Sequence, residues 1–315
     1  MPVPLLTALG CGVVSALLYL SVLSGAGGSV ILGYLAPLPV FLAGLSFGAG
    51  SAVIAGGVGM AVVMVGPSSM TGVGTYLATA AVPAVLVVWL ASQSRTDGRG
   101  GTEWYPPGRL LVVLVGLGLA GLVVAGLVAQ GEGGFRGVVE AMLAGVMTEL
   151  VRPVAQDNRE SVESVAKALA SLFPAVLAMS WLLMVVANAA LAQGLLMRIG
   201  RNLRPAMRMA DLEIPERLVM LLAVVGVGAL VLPDELGYVA ANAVVVLVVP
   251  YFFAGLAVVH AFAATRPGKM GLLLVFYSVL LLFAVPVPVV IALGLAEHWT
   301  GLRRRFVAAG ALREG

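Results

Sequence analysis

Two closely spaced proline pairs carry the strongest chemical signal in the chain. LAPLPVFLAGLSFG (Leu35–Gly48) and AVPVPVV (Ala284–Val290) each set two prolines two residues apart inside an apolar run. Proline lacks an N–H and disfavours helical geometry in the residue before it. Pro37 and Pro39 therefore free the carbonyl oxygens of Gly33 and Leu35, and Pro286 and Pro288 free those of Leu282 and Ala284. Pro250 releases Val246 in the same way. Non-helical backbone at membrane depth persists only where it is buried in protein or lines a wet cavity, and paired, proline-interrupted spans point to transporter binding sites. The chemistry this predicts is recognition of a small solute by main-chain acceptors. The alternative is a packing kink repaired by a neighbouring helix.

Polar side chains inside the apolar runs are the second set of candidates. Asn188 and Asn242 lie deep, and Gln193 and His260 fall nearer the ends. Such groups are costly in lipid and point at the bundle interior or a cavity; for both asparagines the choice is between an interhelical hydrogen bond and contact with a ligand. No run carries a central Asp, Glu, Lys or Arg, which argues against a proton relay or an ion-coupled carrier with a charged centre.

Soluble-enzyme chemistry is nearly absent. GLGLAG (Gly116–Gly121) matches G-x-G-x-x-G, but it sits inside an uninterrupted apolar run with no preceding strand and no acidic partner, so it reads as a helix-packing face. His260 and His298 lack metal-ligand spacing. One cysteine, Cys11, excludes an internal disulfide framework. No cofactor or metal is implied, and no catalytic set can be drawn.

The elements that must position these residues are membrane spans. Of 315 residues, 61% are hydrophobic and 10% charged, against roughly 25% charged in soluble domains, and the mean hydropathy is +1.07. Apolar runs of span length fall at 3 to 24, 29 to 46, 48 to 66, 72 to 92, 108 to 129, 170 to 197, 217 to 233, 237 to 264 and 270 to 296. The fold class is all-α: a polytopic transmembrane bundle of eight or nine spans, some broken by proline. The second run contains a proline pair, and the seventh holds barely 15 uninterrupted apolar residues. Ser24-Gly25-Ala26 loosely matches a cleavage site, but no Lys or Arg precedes the first run and the run is too long for a signal peptide, so it is read as a span.

Orientation follows from the basic connections. Arg95, Arg99 and Arg109, then Arg198, Arg201, Arg204, Arg208 and Arg217, then Arg266 and Lys269, should face the cytoplasm. That sets the amino terminus inside a bacterial cytoplasmic membrane. Nine crossings would put Arg303, Arg304 and Arg305 outside, so either one run is re-entrant or the rule fails at the last span. The net charge of +3 sits at span edges and speaks to orientation, not to nucleic acid.

Between the fifth and sixth runs lies a polar insert, 130–169. Met142, Leu143, Val146 and Leu150 recur at helical spacing opposite Arg136 and Glu140, which predicts an amphipathic surface helix. Asp157 and Glu160 have capping-box spacing, and Glu163 with Lys167 forms an i,i+4 pair. Small residues at four-residue spacing, Ala8, Gly12 and Ala16, and Gly44, Gly48, Ala52 and Gly56, let helix backbones approach closely. Packing within the chain is the commoner use of such faces, and docking of a separate subunit the other.

The front of the chain, with LAPLPVFLAGLSFGAGSAVIAGG after its first helix, resembles the S components of energy-coupling-factor vitamin transporters. GLAEHWTGLRRRF (Gly294–Phe306) and YFFAGLAVVHAF are similar to the carboxyl end of the YybS-like family, predicted bacterial membrane proteins of unknown function. The first resemblance implies a body of about six spans at 1–200 that binds a small molecule and docks on a membrane coupling subunit through a face like Ala8, Gly12 and Ala16, with separate ATPases supplying energy. The basic linker 201–217 and the extension 218–315 depart from that pattern. Two functions follow: a substrate-binding component of a small-molecule transporter, or a non-transporting membrane scaffold for envelope or division proteins.

Overall fold

A computed structural model describes residues 3–66, 69–96, 98, 100–129, 133–151, 159–207, 212–283 and 285–306. It is built of helices. In chain order these are α1 (Val3–Leu20), α2 (Ser29–Tyr34), α3 (Pro37–Phe47), α4 (Ala49–Val65), α5 (Met70–Tyr76), α6 (Val82–Ala91), α7 (Pro107–Val128), α8 (Gly134–Val151), α9 (Arg159–Ala170), α10 (Phe173–Arg198), α11 (Glu216–Val231), α12 (Asp234–Leu247), α13 (Val249–Ala264), α14 (Lys269–Leu282) and α15 (Pro286–Thr300). A short antiparallel hairpin, β1 (Ser94–Thr96) and β2 (Thr102–Trp104), pairs Arg95 with Glu103 between α6 and α7.

Among the described residues, six stretches are long and apolar enough to cross a membrane: Val3–Ser24, Ser29–Phe47, Met70–Ala91, Pro107–Val128, Phe173–Arg198 and Asp234–Ala264. Ala49–Val65 and Lys269–Leu282 are shorter apolar helices. The ninth predicted run does not form one rod. It ends at Leu282 and restarts at Pro286, because a proline suits the first turn of a helix, where no N–H is required, and not its interior. The same rule starts α3 at Pro37 and α13 beside Pro250.

The chain forms two compact units. The first comprises residues 1–110 with 181–208, and the second 111–180 with 209–315.

In the first unit the small-residue face of α1 packs on α4. Ala8, Gly12, Ser15 and Ala16 are buried, and a Cβ on Gly12 would run into the Ala55 carbonyl and the Val58 side chain. Gly44 of α3 likewise abuts Val88 and Ala52. Membrane helices associate through such close packing and not through a hydrophobic drive.

In the second unit α13 and α15 cross backbone to backbone. A Cβ on Gly255 would overlap the Val290 carbonyl, and one on Gly294 the Tyr251 carbonyl. Within the same unit Phe135, Val139 and Leu143 of α8 bury against Leu122, Ala170 and Tyr238. Of the apolar residues expected along the insert helix, Leu143 is buried while Met142 and Val146 are about half exposed, and the row that meets α12 starts at Phe135. The ion pair Arg136 to Glu140, 2.9 Å, lies on the exposed side. Asp157 is outside the described residues, as are the side chains of Leu150, Glu160 and Glu163. Of the glycines of GLGLAG, Gly118 is buried, while an added Cβ at Gly116 or Gly121 meets nothing within 4 Å.

Candidate functional site

The first proline pair sits where α2 gives way to α3, and both prolines are buried. The oxygens they release do not stay free. The Ala36 N–H turns back to the Gly33 carbonyl at 3.1 Å, and the Leu38 N–H to the Leu35 carbonyl at 3.0 Å, so the break is bridged by tighter turns of the i+3 type. That shift removes Leu38 as the helical partner of the Tyr34 carbonyl. Asn188, from the middle of α10, takes its place: its Nδ2 donates to the Tyr34 oxygen at 2.8 Å and to the Met184 oxygen at 2.8 Å.

One residue further on, the Ser15 hydroxyl of α1 donates to the Ala36 carbonyl at 2.6 Å. Serine has one proton to give, so the contact at 2.9 Å between Ser15 and the Tyr76 hydroxyl has Tyr76 as donor. Gly59 is what admits that hydroxyl, because a Cβ there would overlap it. Tyr76 is further held edge-on by Tyr19, with ring centroids 5.3 Å apart.

The same device recurs at prolines outside the two pairs. Pro83 deprives the Thr79 carbonyl of its helical donor, the chain relaxes into a π turn over Leu77–Ala81, and the indole Nε1 of Trp181 donates to the Thr79 oxygen at 3.2 Å. Trp181 and Asn188 are seven residues apart on α10 and so share a face of it. In the second unit Pro174 frees the Ala170 carbonyl, which accepts from the Tyr238 hydroxyl at 2.7 Å. Asn242 lies one turn along α12 from Tyr238. Its Nδ2 donates to Ser171 at 3.0 Å and to Tyr238 at 2.9 Å, and its Oδ1 accepts the Ala175 N–H at 2.9 Å. One fully buried amide thus ties the end of α9 to the start of α10. At Pro250 one helix ends and the next begins: the Val248 N–H keeps its bond to the Val244 oxygen at 3.0 Å, and the Val248 carbonyl accepts from Tyr251 and Phe252.

The second proline pair differs. Leu282 and Pro288 are exposed and Pro286 is half-buried, while Ala284 lies outside the described residues. Leu282 is 76% exposed, so no protein chamber surrounds its carbonyl. Neither asparagine reaches this break: all the bonds of Asn188 and Asn242 go elsewhere. Gln193 donates to the Arg204 carbonyl at 3.1 Å, a buried loop contact, and His260 meets its own helix at Leu256.

Ala8, Gly12 and Ala16 are covered by α4 from the same chain, which gives this face an internal use. Ser15, Tyr76, Trp181 and Tyr238 join the site without standing out in the sequence. The signal for them is an aromatic or hydroxyl side chain with a polar handle inside an apolar run.

Among the described residues three buried side-chain polar atoms lack a partner: Asn188 Oδ1, Arg204 Nε and the Tyr251 hydroxyl. Asn188 is 2% exposed, and with both its N–H groups committed to carbonyls its Oδ1 has no partner.

No curated protein and no solved structure matches the chain. A family model described as a predicted membrane protein, DUF2232, matches residues 13–297, and the chain belongs to that family.

Proposed function

We propose that this chain is an integral-membrane scaffold that holds other membrane proteins against its helical surface and passes no solute through itself. The observation that carries the reading is the capping of the breaks. At Pro37, Pro83 and Pro174 the carbonyls of Tyr34, Thr79 and Ala170, which lose their helical donors, accept from Asn188, Trp181 and Tyr238 of the same chain. An unpaired backbone group in lipid costs several kcal/mol, so these donors have a structural task, and the three oxygens they meet are committed to the chain itself. The reading assigns the chain no enzymatic step. It sets it in a bacterial cytoplasmic membrane with the amino terminus inside, on the strength of the basic connections at Arg95, Arg109, Arg198, Arg201, Arg217, Arg266 and Lys269.

The test is crosslinking in native membranes followed by purification and mass spectrometry. The scaffold reading expects envelope or division proteins and no ATPase. Recovery of a membrane coupling subunit with ATPases and a retained small molecule would overturn it.

A second reading rests on Asn188 Oδ1. A buried acceptor without a donor, beside the first proline pair, suits a small ligand that carries a hydrogen-bond donor, as the resemblance to vitamin-binding S components and the YybS-like affinity would have it. Its support is one atom, against the three side chains committed to the breaks.

A further inference from the structure

On the first unit a groove of about 490 Å³ opens between α4 and the span formed by α5 and α6. Val53, Val82, Val85, Leu86 and Trp89 wall it and Gly57 lies on its floor. A Cβ on Gly56 would stand 3.4 Å from Ala81 and 3.6 Å from Val85, so the two helices close beneath the groove. A third helix, about 10–12 Å across with its side chains, rides over such a cleft; a flexible alkyl chain enters it. Next to Gly57 there is open space.

The groove ends at Trp89, which is 51% exposed, and α6 ends two residues later, about 3 Å along the axis. At that end Arg204 donates from Nη1 to the Ala91 carbonyl at 3.1 Å and reaches the Tyr105 carbonyl at 3.5 Å. Its guanidinium lies 5.7 Å from the centre of the Trp104 ring. Arg204 is 7% exposed, its Nε has no hydrogen-bond partner, and among the described residues it pairs with no carboxylate. Burial lowers its pKa from the ordinary arginine value, yet a guanidinium stays charged in proteins. Arg198 and Arg201 stand exposed six and three residues before it. Arg95 is already matched by Glu103 at 2.7 Å. The end of α6 past the groove therefore carries uncompensated positive charge, with Trp89 closing the groove and Trp104 beside Arg204.

The geometry points to a binding site for an anionic phospholipid, with one acyl chain in the α4–α6 groove and the phosphate beside Arg198, Arg201 and Arg204. Basic residues near a membrane surface attract anionic lipid, and the groove adds apolar contact that a bulk lipid lacks. Headgroup charge and chain occupancy act together, so the site distinguishes lipids by headgroup while needing the groove empty. The proposal is independent of the scaffold reading, since it concerns lipid and not protein.

The full chain in detergent is titrated with phosphatidylglycerol and with phosphatidylcholine of identical acyl chains, and bound lipid is counted by native mass spectrometry. Phosphatidylglycerol should be retained at several-fold lower concentration. Replacing the exposed pair, Arg198→Gln with Arg201→Gln, should abolish most of that preference and leave phosphatidylcholine retention unchanged. Gly57→Leu fills the groove from a position with open space and should weaken retention of both lipids several-fold. Equal retention of the two lipids by the unaltered chain would overturn the proposal, as would phosphatidylglycerol binding that ignores both variants.

Discussion

The indole nitrogen of Trp181 lies 3.2 Å from the carbonyl oxygen of Thr79, the oxygen that Pro83 leaves without a helical donor. A long-range side chain here does the work of one missing main-chain N–H. Trp181→Phe keeps an aromatic ring and removes the donor. It should cost about 1 kcal/mol in unfolding by denaturing detergent, the scale of interhelical hydrogen bonds in membranes. Adding Pro83→Ala, which restores an N–H toward Thr79, should recover most of the loss.

The α9–α10 junction allows two deletions to be ranked. Tyr238→Phe removes one bond, to Ala170, whereas Asn242→Ala removes three, to Ser171, Tyr238 and Ala175. Leaving buried groups unpaired costs roughly 1–3 kcal/mol each, so the Asn242 variant should be clearly the less stable in the same assay. Equal losses would show that the amide contributes no more than the hydroxyl.

Glycine substitutions should separate close crossings from open faces. Gly255→Ala and Gly294→Ala drive a methyl into the carbonyls of Val290 and Tyr251. Backbone cannot step aside as a flexible side chain does, so both should lower the thermal midpoint sharply. Gly116→Ala, which meets nothing, should be neutral or slightly stabilising because alanine favours helix. Thermal unfolding in detergent, followed by helical circular dichroism, reads all three.

The polytopic helical fold is legible in the sequence because repeated apolar runs of membrane length are stable in few settings besides a bilayer. Proline positions also locate the breaks well: Pro37 and Pro286 each begin a helix, and Pro250 sits in the first turn of α13. What occupies a break is not legible. Asn188 and Asn242 stand out as polar groups in lipid, but the partner of an amide is fixed by helix packing, and Tyr34 is 154 positions away from Asn188. Ser15, Tyr76, Trp181 and Tyr238 look like ordinary packing residues until the neighbouring carbonyl is placed. The helical insert with Leu143 on its apolar side is legible, but α8 offers several apolar rows at i, i+4 spacing, and contact with Tyr238 chooses Phe135, Val139 and Leu143. The tight α13–α15 crossing is visible in principle as Gly255 and Gly294, which lie on separate runs and announce no mutual contact.

Whether the first break is closed by the chain itself is tested most directly by a double-mutant cycle between Asn188→Ala and the pair Pro37→Ala with Pro39→Ala, read as unfolding free energy in denaturing detergent. If Asn188 serves the Tyr34 oxygen, its removal should cost about 1–3 kcal/mol beside the prolines and much less once alanines let the Leu38 N–H return to that oxygen. An identical cost in both backgrounds, with strict additivity, would contradict the account.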